Sequence, residues 1–369
     1  MGLMHRIKYY SDIVNMGIRG IGNSFSRYSQ EGDLCPKSID IVVTWVDGND
    51  PEWQADKDYY LNKADSCRKA GNGICRYREW DFFRYWFRAV EKYAPWANRV
   101  FFVTYGHVLA WLDTESPRLR IVRHDEFIPD EYLPTFSSIP IELNLHRIPG
   151  LSEHFVYFND DIFLARPCKP EDFFVDGKPV LCPAPIPLSI YRNETPLHIM
   201  LSTYAEINSN NNISSSIMDH AELWFSWKNR QNYKYICQAY RESMLPGMYF
   251  SHMAVPFTKS TMEHVWRKYS SIPETCKHKF RTPMDIMHYV FTAEDLLSGN
   301  FSPCDIKHFG RIIDMEDFGL IKQIYQDKGT LMICFNDSNT YTDLQVLEIN
   351  KRIIQILQEN FPEKSQFEK

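Results

Sequence analysis

The chain has 369 residues, of which 44% are hydrophobic and 24% charged, the make-up of a soluble globular protein large enough for one domain with an insertion or for two domains. Its net charge of −6 excludes a globally basic nucleic-acid surface, and no uncharged apolar run reaches the ~18 residues that cross a bilayer. Nine scattered cysteines without a C-x-x-C pair imply neither a zinc site nor a disulfide framework, which fits a reducing cytosol.

Residues 1–36 stand apart as an amphipathic segment. Leu3, Ile7, Tyr10, Val14, Ile18, Ile21 and Phe25 recur at helical spacing, while Arg6, Lys8, Arg19 and Arg27 outnumber the single acid Asp12. Such a helix either rests on an anionic membrane face or packs on its own domain. Gly17, Gly20 and Gly22 weaken its second half.

A core region over 37–185 opens with the β-branched strand Ser38–Trp45, which runs into Val46-Asp47-Gly48-Asn49-Asp50-Pro51. This turn cluster puts Asp47 at a strand's carboxyl edge, where either a nucleotide or an ordinary tight loop fits. Residues 54–73 are polar, a loop or short helix. A helix is expected from Arg76 to about Tyr93, stopped by Pro95. Arg76, Arg84 and Arg88 could present guanidinium groups together, although Arg88 reads more naturally as part of a solvated face. Strands over Arg99–Thr104 and Leu119–His124, with a short helix at Leu109–Leu112, continue a strand–helix alternation. The alternation predicts an α/β fold: a mostly parallel, Rossmann-like sheet flanked by helices.

After the loop Leu133–Ser138, with hydroxyls at Ser137 and Ser138, a helix over Pro140–Ile148 carries Glu142, His146 and Arg147 on an otherwise apolar surface. A lone histidine such as His146 is more often core than ligand. The apolar strand Phe155–Phe158 then drives into Asn159-Asp160-Asp161. Hard oxygen ligands at the carboxyl edge of a buried strand suit Mg²⁺ or Mn²⁺, and those ions suit phosphate; an Asn-Asp turn is the plainer alternative.

Prolines between 167 and 187 break the pattern, and 186–247 reads as a helical insertion near an acceptor site, with Trp224 and Trp227 three apart. Region 248–342 is a second part of the core. It brings His252 in an apolar approach, the basic cluster Lys277–Arg281, a helix expected from Pro283 to Phe291, and a strand from Leu331 that ends in Asn336-Asp337. A second apolar strand ending in Asn-Asp makes a two-part carboxylate site more credible than either does alone. Residues 343–369 form an amphipathic helix for packing or oligomerisation.

Four stretches, in order, resemble the Stealth family of sugar-phosphate transferases: Ile39 to Pro51, Arg76 to Pro167, Ser251 to Phe257 onward, and Ile333 to Asp337. The second is the most specific, since Glu91 to Trp96, Leu133 to Ser138 and Leu145 to Ser152 all precede the Asn-Asp-Asp. The resemblance implies transfer of a sugar 1-phosphate from a nucleotide-sugar, usually a UDP-hexosamine, to an acceptor hydroxyl of a capsular or other cell-surface polysaccharide, with the nucleoside monophosphate leaving. It assigns chemistry to Asp161, His252, Arg281 and Asp337 and nucleotide binding to the motif of Asp47. Trp45, Gly48, Arg76, Ser137, His146 and Asn159 lie in the matching stretches and are candidate substrate contacts. Asp161 and Asp337 would hold Mg²⁺ or Mn²⁺, Arg281 with Arg76 would neutralise phosphate oxygens, and His252 or Asp161 would deprotonate the acceptor.

The family usually has Arg-Phe-x-Asp-x-x-Glu-Leu where this chain reads Arg76 to Phe83, with Glu79 for the Asp and Phe82 for the Glu, a departure that bears on sugar or nucleotide specificity. The implied location is cytoplasmic, peripheral on the inner membrane face through the N-terminal segment. Two rivals differ in product: a metal-dependent glycosyltransferase releases UDP rather than UMP, and a non-catalytic polysaccharide-binding subunit releases neither.

Overall fold

Apolar, β-branched runs build a central sheet whose strand order brings two acidic turns side by side. The computed structural model describes residues 3–26, 36, 38–63, 77–78, 80–189, 195–249 and 251–369. Its strands in chain order are β1 (Ile39–Trp45), β2 (Val100–Thr104), β3 (Leu119–Arg123), β4 (His154–Asn159), β5 (Ile162–Leu164) and β6 (Phe174–Val175). There follow β7 (Lys178–Leu181), β8 (Val255–Thr258), β9 (Ser302–Pro303), β10 (Gly310–Asp314) and β11 (Met332–Asn336). The main sheet has the order β3-β2-β1-β4-β8, parallel except for β8, which runs antiparallel along β4. The expected mostly parallel α/β fold with a helical insertion is the fold observed.

From β3 the chain passes over β2 and β1 to lay β4 on the far side of β1, with Thr44 opposite Asn159. Strand order therefore reverses between β1 and β4, the place where open α/β sheets bind ligands beyond their carboxyl ends. Asp40, fully buried in β1, holds the opposite end of this pair together. Its Oδ1 accepts from Asn98 Nδ2 (2.8 Å) and the Arg99 amide (3.1 Å), and its Oδ2 from the Ser152 amide (2.8 Å).

Past Asp160-Asp161 the chain leaves the main sheet. β5 pairs antiparallel with β11 in a second sheet, β10-β11-β5, and a third small sheet joins β6, β7 and β9. One apolar core packs on the face of the main sheet that carries Phe83, Trp86 and Phe87, and extends into the second sheet through Phe163 and Phe335. The other core, on the opposite face, receives Trp224 and Ile217 from the insertion.

Several local expectations are corrected. Helix starts at Phe83 rather than Arg76, which lies outside the described residues. Leu109–Leu112 is a turn because Leu112 bridges to Glu368. The helix expected from Pro283 begins only at Tyr289, because Asp285 is drawn back onto Thr282. Arg88 does not lie on a solvated face: it is 8% exposed, its Nε and Nη2 donate to Glu368 at 2.7 and 2.8 Å, and it ties the chain's end to the helix Phe83–Tyr93. The N-terminal helix Leu3–Ser26 packs on the insertion, with Met16 buried, Tyr240 donating to Asp12 (2.8 Å) and Arg19 bonded to Glu222. No described helix is long and apolar enough to cross a membrane, and six described cysteines are free thiols.

Candidate active site

Two loops face each other across the β1/β4 switch. After β1, the Asp47 amide donates to His107 Nδ1 (3.1 Å) and Asp47 Oδ1 accepts from the Asn49 amide (2.9 Å), so the turn is set by its own acid. Gly48 is required there. A Cβ at this position would meet the Tyr77 carbonyl oxygen at 1.8 Å, a contact no side chain tolerates.

After β4, Asp161 is the hub. Its Oδ2 lies 3.6 Å from His252 Nε2 and accepts from the Cys334 thiol at 3.4 Å, while its backbone oxygen accepts from the Phe335 amide (2.9 Å). Asp161 Oδ1 is buried with no hydrogen-bond partner. Ligand atoms of Asp161, His252 and Cys334 all fall within 4.8 Å of one another. His252 reaches the carboxylate from a left-handed backbone (φ 48°), a conformation unusual for a non-glycine residue and characteristic of functional positions.

The electrostatics follow from this packing. The His252 side chain is 43% exposed; the protein packed around it works to lower the imidazole, but its contact with the Asp161 carboxylate outweighs that and raises it. Burial, with the adjacent Asp161 charge, pushes the Cys334 thiol well up, so it stays an S–H donor. Asp160 opens toward solvent, yet the protein crowded around it and then the Asp161 carboxylate beside it raise its carboxyl above the usual range.

Behind the hub lies a buried relay. His288 Nδ1 sits 2.6 Å from Glu142 Oε2, and the Tyr157 hydroxyl donates to Glu142 Oε1 (3.4 Å) and pairs with Thr44 Oγ1 (3.0 Å). Desolvation opposes the Glu142 charge, but His288, Ser138 and Arg281 prevail and hold it at about 2. Arg281 Nη2 donates to Ser138 Oγ (2.8 Å). Its loop is fixed by Asp285, which is buried, lies 2.7 Å from His278 Nδ1 and accepts from the Thr282 amide (2.8 Å). Arg281 and Glu142 both act electrostatically on His252, so the structure brings Asp161, His252 and Arg281 into one site.

Asp337 has other partners. Its Oδ1 accepts from Arg78 Nη1 (2.5 Å) and from the Ser338 amide (2.6 Å), and its Oδ2 from Trp80 Nε1 (3.2 Å). Burial raises its carboxyl more than Arg78 lowers it.

Comparison with known proteins decides the family. Models of Stealth conserved regions 1 and 2 match residues 37–65 and 76–180. A capsular polysaccharide phosphotransferase, WcwK of Streptococcus pneumoniae, is 38% identical over 90% of this chain and 99% of its own. The chain belongs to the Stealth family. The receptor polysaccharide phosphotransferase WefC of Streptococcus oralis is 36% identical over 89% of this chain and 99% of its own, and the exopolysaccharide phosphotransferase cps2G of Lactiplantibacillus plantarum 34% identical over 90% and 97%. The solved galactosyltransferase LgtC superposes with a TM-score of 0.37 at 11% identity, covering 87% of this chain and 96% of that one.

In this Stealth transferase several sequence candidates take structural places. Trp45 is buried and stacks on Phe83 and Phe102, so it builds the core behind the loop instead of offering a face to a ligand. Ser137 is buried and caps the helix Ser138–Asn144 by accepting from the Ile139 amide. His146 lies at the far end of that crossover, against Trp266, where burial holds its imidazole down to about 3. No described contact joins it to Asp161 or His252. Asn159 ends β4 beside Thr44 of β1.

Cys334 and His288 were not anticipated. Cys334 is hidden inside an apolar strand, and only the antiparallel register that sets it opposite Ile162 reveals that it reaches Asp161. The buried, unpartnered Asp161 Oδ1 suits a hard cation. The protonated Cys334 thiol does not suit Mg²⁺ or Mn²⁺, and the described three-member ligand cluster does not include Asp337, whose oxygens are already engaged.

Proposed function

We propose that this enzyme transfers a sugar 1-phosphate from a UDP-hexosamine to a hydroxyl of a cell-surface polysaccharide. The acceptor oxygen attacks the phosphorus that bears the sugar, the bond from that phosphorus to the oxygen of the UMP phosphate breaks, and UMP leaves. The hydroxyl proton passes to the His252 ring nitrogen that does not face Asp161, since Nε2 lies against the Asp161 carboxylate. The observation that carries this reading is the Asp161–His252 pair at the β1/β4 switch, with Arg281 close enough to act on the same imidazole. Asp161 stabilises the imidazolium as it forms, and Arg281 offers a planar fork to phosphate oxygens. The printed names of the relatives, phosphotransferases of capsular, receptor and exopolysaccharides, favour the acceptor class.

Mg²⁺ or Mn²⁺ would be held by Asp161 Oδ1 with Asp160 beside it, and when bound it would neutralise pyrophosphate charge. Asp337 anchors Arg78 in this reading. Purified enzyme given UDP-sugars, polysaccharide fragments and Mg²⁺, with or without a chelator, tests the proposal. Metal-dependent UMP release supports it, UDP release replaces it with glycosyl transfer, and no nucleotide release with any donor leaves a binding subunit.

The N-terminal helix would set the enzyme on an anionic membrane face. Tyr10, Val14, Ile18 and Ile21 are exposed within an arc of about 80° at 100° per residue, on the side opposite buried Met16. Flotation with anionic vesicles checks this: the protein should float, and a Val14→Asp, Ile18→Asp variant should not.

A further inference from the structure

Away from the Asp161 hub, the insertion and the small β6-β7-β9 sheet enclose a cleft of about 360 Å³, at the small end of the range for ligand sites. Its floor is apolar, with Val180 of β7 beside Pro303 of β9. Trp227 forms a wall and is 56% exposed, with the Arg230 guanidinium 4.9 Å from its ring centre. The polar rim is preset. Asp305 accepts from Gln231 Nε2 (3.0 Å) and from the Lys307 amide (2.8 Å), and His308 Nε2 lies 2.8 Å from the Asp172 carbonyl.

Charge decides the ligand class. Glu171 and Asp305 balance Lys228 and Arg230 around the cleft, so it lacks the positive excess that a phosphate or nucleotide would demand. A large, 56% exposed indole that already stacks against Arg230, set over an apolar floor and rimmed by donors and acceptors of both signs, matches a sugar ring, which has a C–H face and a hydroxyl edge. A second, smaller cavity lies next to the cleft. The Cys304 amide in the cleft wall donates to the Leu181 carbonyl (3.0 Å), and Leu181 and Cys182 line that cavity together with Ser251, which precedes His252, and Tyr289.

We propose that this cleft is a distal acceptor subsite, binding a saccharide stretch of the growing polysaccharide with Trp227 as its stacking platform. The inference rests on the transferase reading above for the word acceptor, while the saccharide binding itself does not. It predicts that the enzyme distinguishes long acceptors from short ones by contacts remote from the reacting hydroxyl.

The test uses the full-length protein, wild type and Trp227→Ala, with size-graded fragments of the producing cell's own surface polysaccharide, from monosaccharide to hexasaccharide. Binding is read by calorimetry and UMP release is followed in parallel. Trp227→Ala should weaken the longest fragment at least tenfold and raise its KM similarly, with the monosaccharide and kcat unchanged and Trp227→Phe restoring most of the loss. Equal affinity of wild type and Trp227→Ala for every fragment overturns the subsite, as does failure of the wild type to bind any fragment. Trp227-dependent binding without UMP release keeps the saccharide site and removes the transferase reading instead.

Discussion

His252 Nε2 stands 3.6 Å from Asp161 Oδ2, and the two arrive there by different means. Asp161 is delivered by the end of a buried parallel strand, whereas His252 is turned toward it by a left-handed backbone just ahead of the antiparallel edge strand β8. If His252 takes the acceptor proton it must be neutral. Its raised pKa then puts the acidic limb of kcat/KM above the ordinary histidine value of ~6.5. Asp161→Asn should lower turnover at least ~100-fold and move the remaining limb to lower pH, because the counter-charge that raises the imidazole is gone. Both variants, Asp161→Asn and His252→Ala, should melt near the wild type. A wild-type rate in a folded Asp161→Asn enzyme would remove the assignment.

Arg78 and Asp337 form a pair with side chains only 13% and 12% exposed. Removing one partner leaves the other desolvated, so Arg78→Ala and Asp337→Ala should each cost about 3 kcal/mol, and the double variant much less than the sum. A chemical-denaturation cycle reads the coupling. Additive losses would mean the pair is not what holds Asp337 in place.

The core strands were legible because buried strands read as apolar runs, as β4 and β11 do up to their acidic ends and β1 does around Asp40 and Thr44. The reversal of strand order was not written in any one segment, since it depends on which strand β4 joins. Nor was the fact that the two Asn-Asp ends belong to different sheets. Asp337 looked like a second metal ligand because its strand end copies that of Asp161, but its chemistry is set by Arg78 and Trp80, which come from before the helix Phe83–Tyr93. The expected helix from Pro283 failed for a related reason: Asp285, read as a helical residue, closes a loop around Arg281.

Gly48 faces the Tyr77 carbonyl so closely that even one methyl must displace backbone. Gly48→Ala should cost about 1–3 kcal/mol through overpacking and raise the KM for the nucleotide-sugar donor more than it lowers kcat, because the loop moves while the Asp161–His252 pair stays. Thermal melts and steady-state kinetics with varied donor check both parts. An unchanged melting point and donor KM would show that the loop gives way freely.

Asp295 offers a pH test far from the chemistry. It is 1% exposed, its Oδ1 accepts from the Thr261 hydroxyl (2.7 Å) and Asn300 Nδ2 (2.6 Å), and burial raises its carboxyl to about 7. A raised acid makes the folded state hold its proton where the unfolded state has released it. Stability from this group therefore declines as pH rises from about 4 through 7. Asp295→Asn keeps an acceptor toward Thr261 and removes the titration, so the variant should match or slightly trail the wild type at pH 5 and surpass it at pH 8. The swing between the two pH values is at most about 3 kcal/mol. Urea unfolding at both pH values measures it, and a difference that does not grow with pH would mean that Asp295 is charged and well solvated in the folded enzyme.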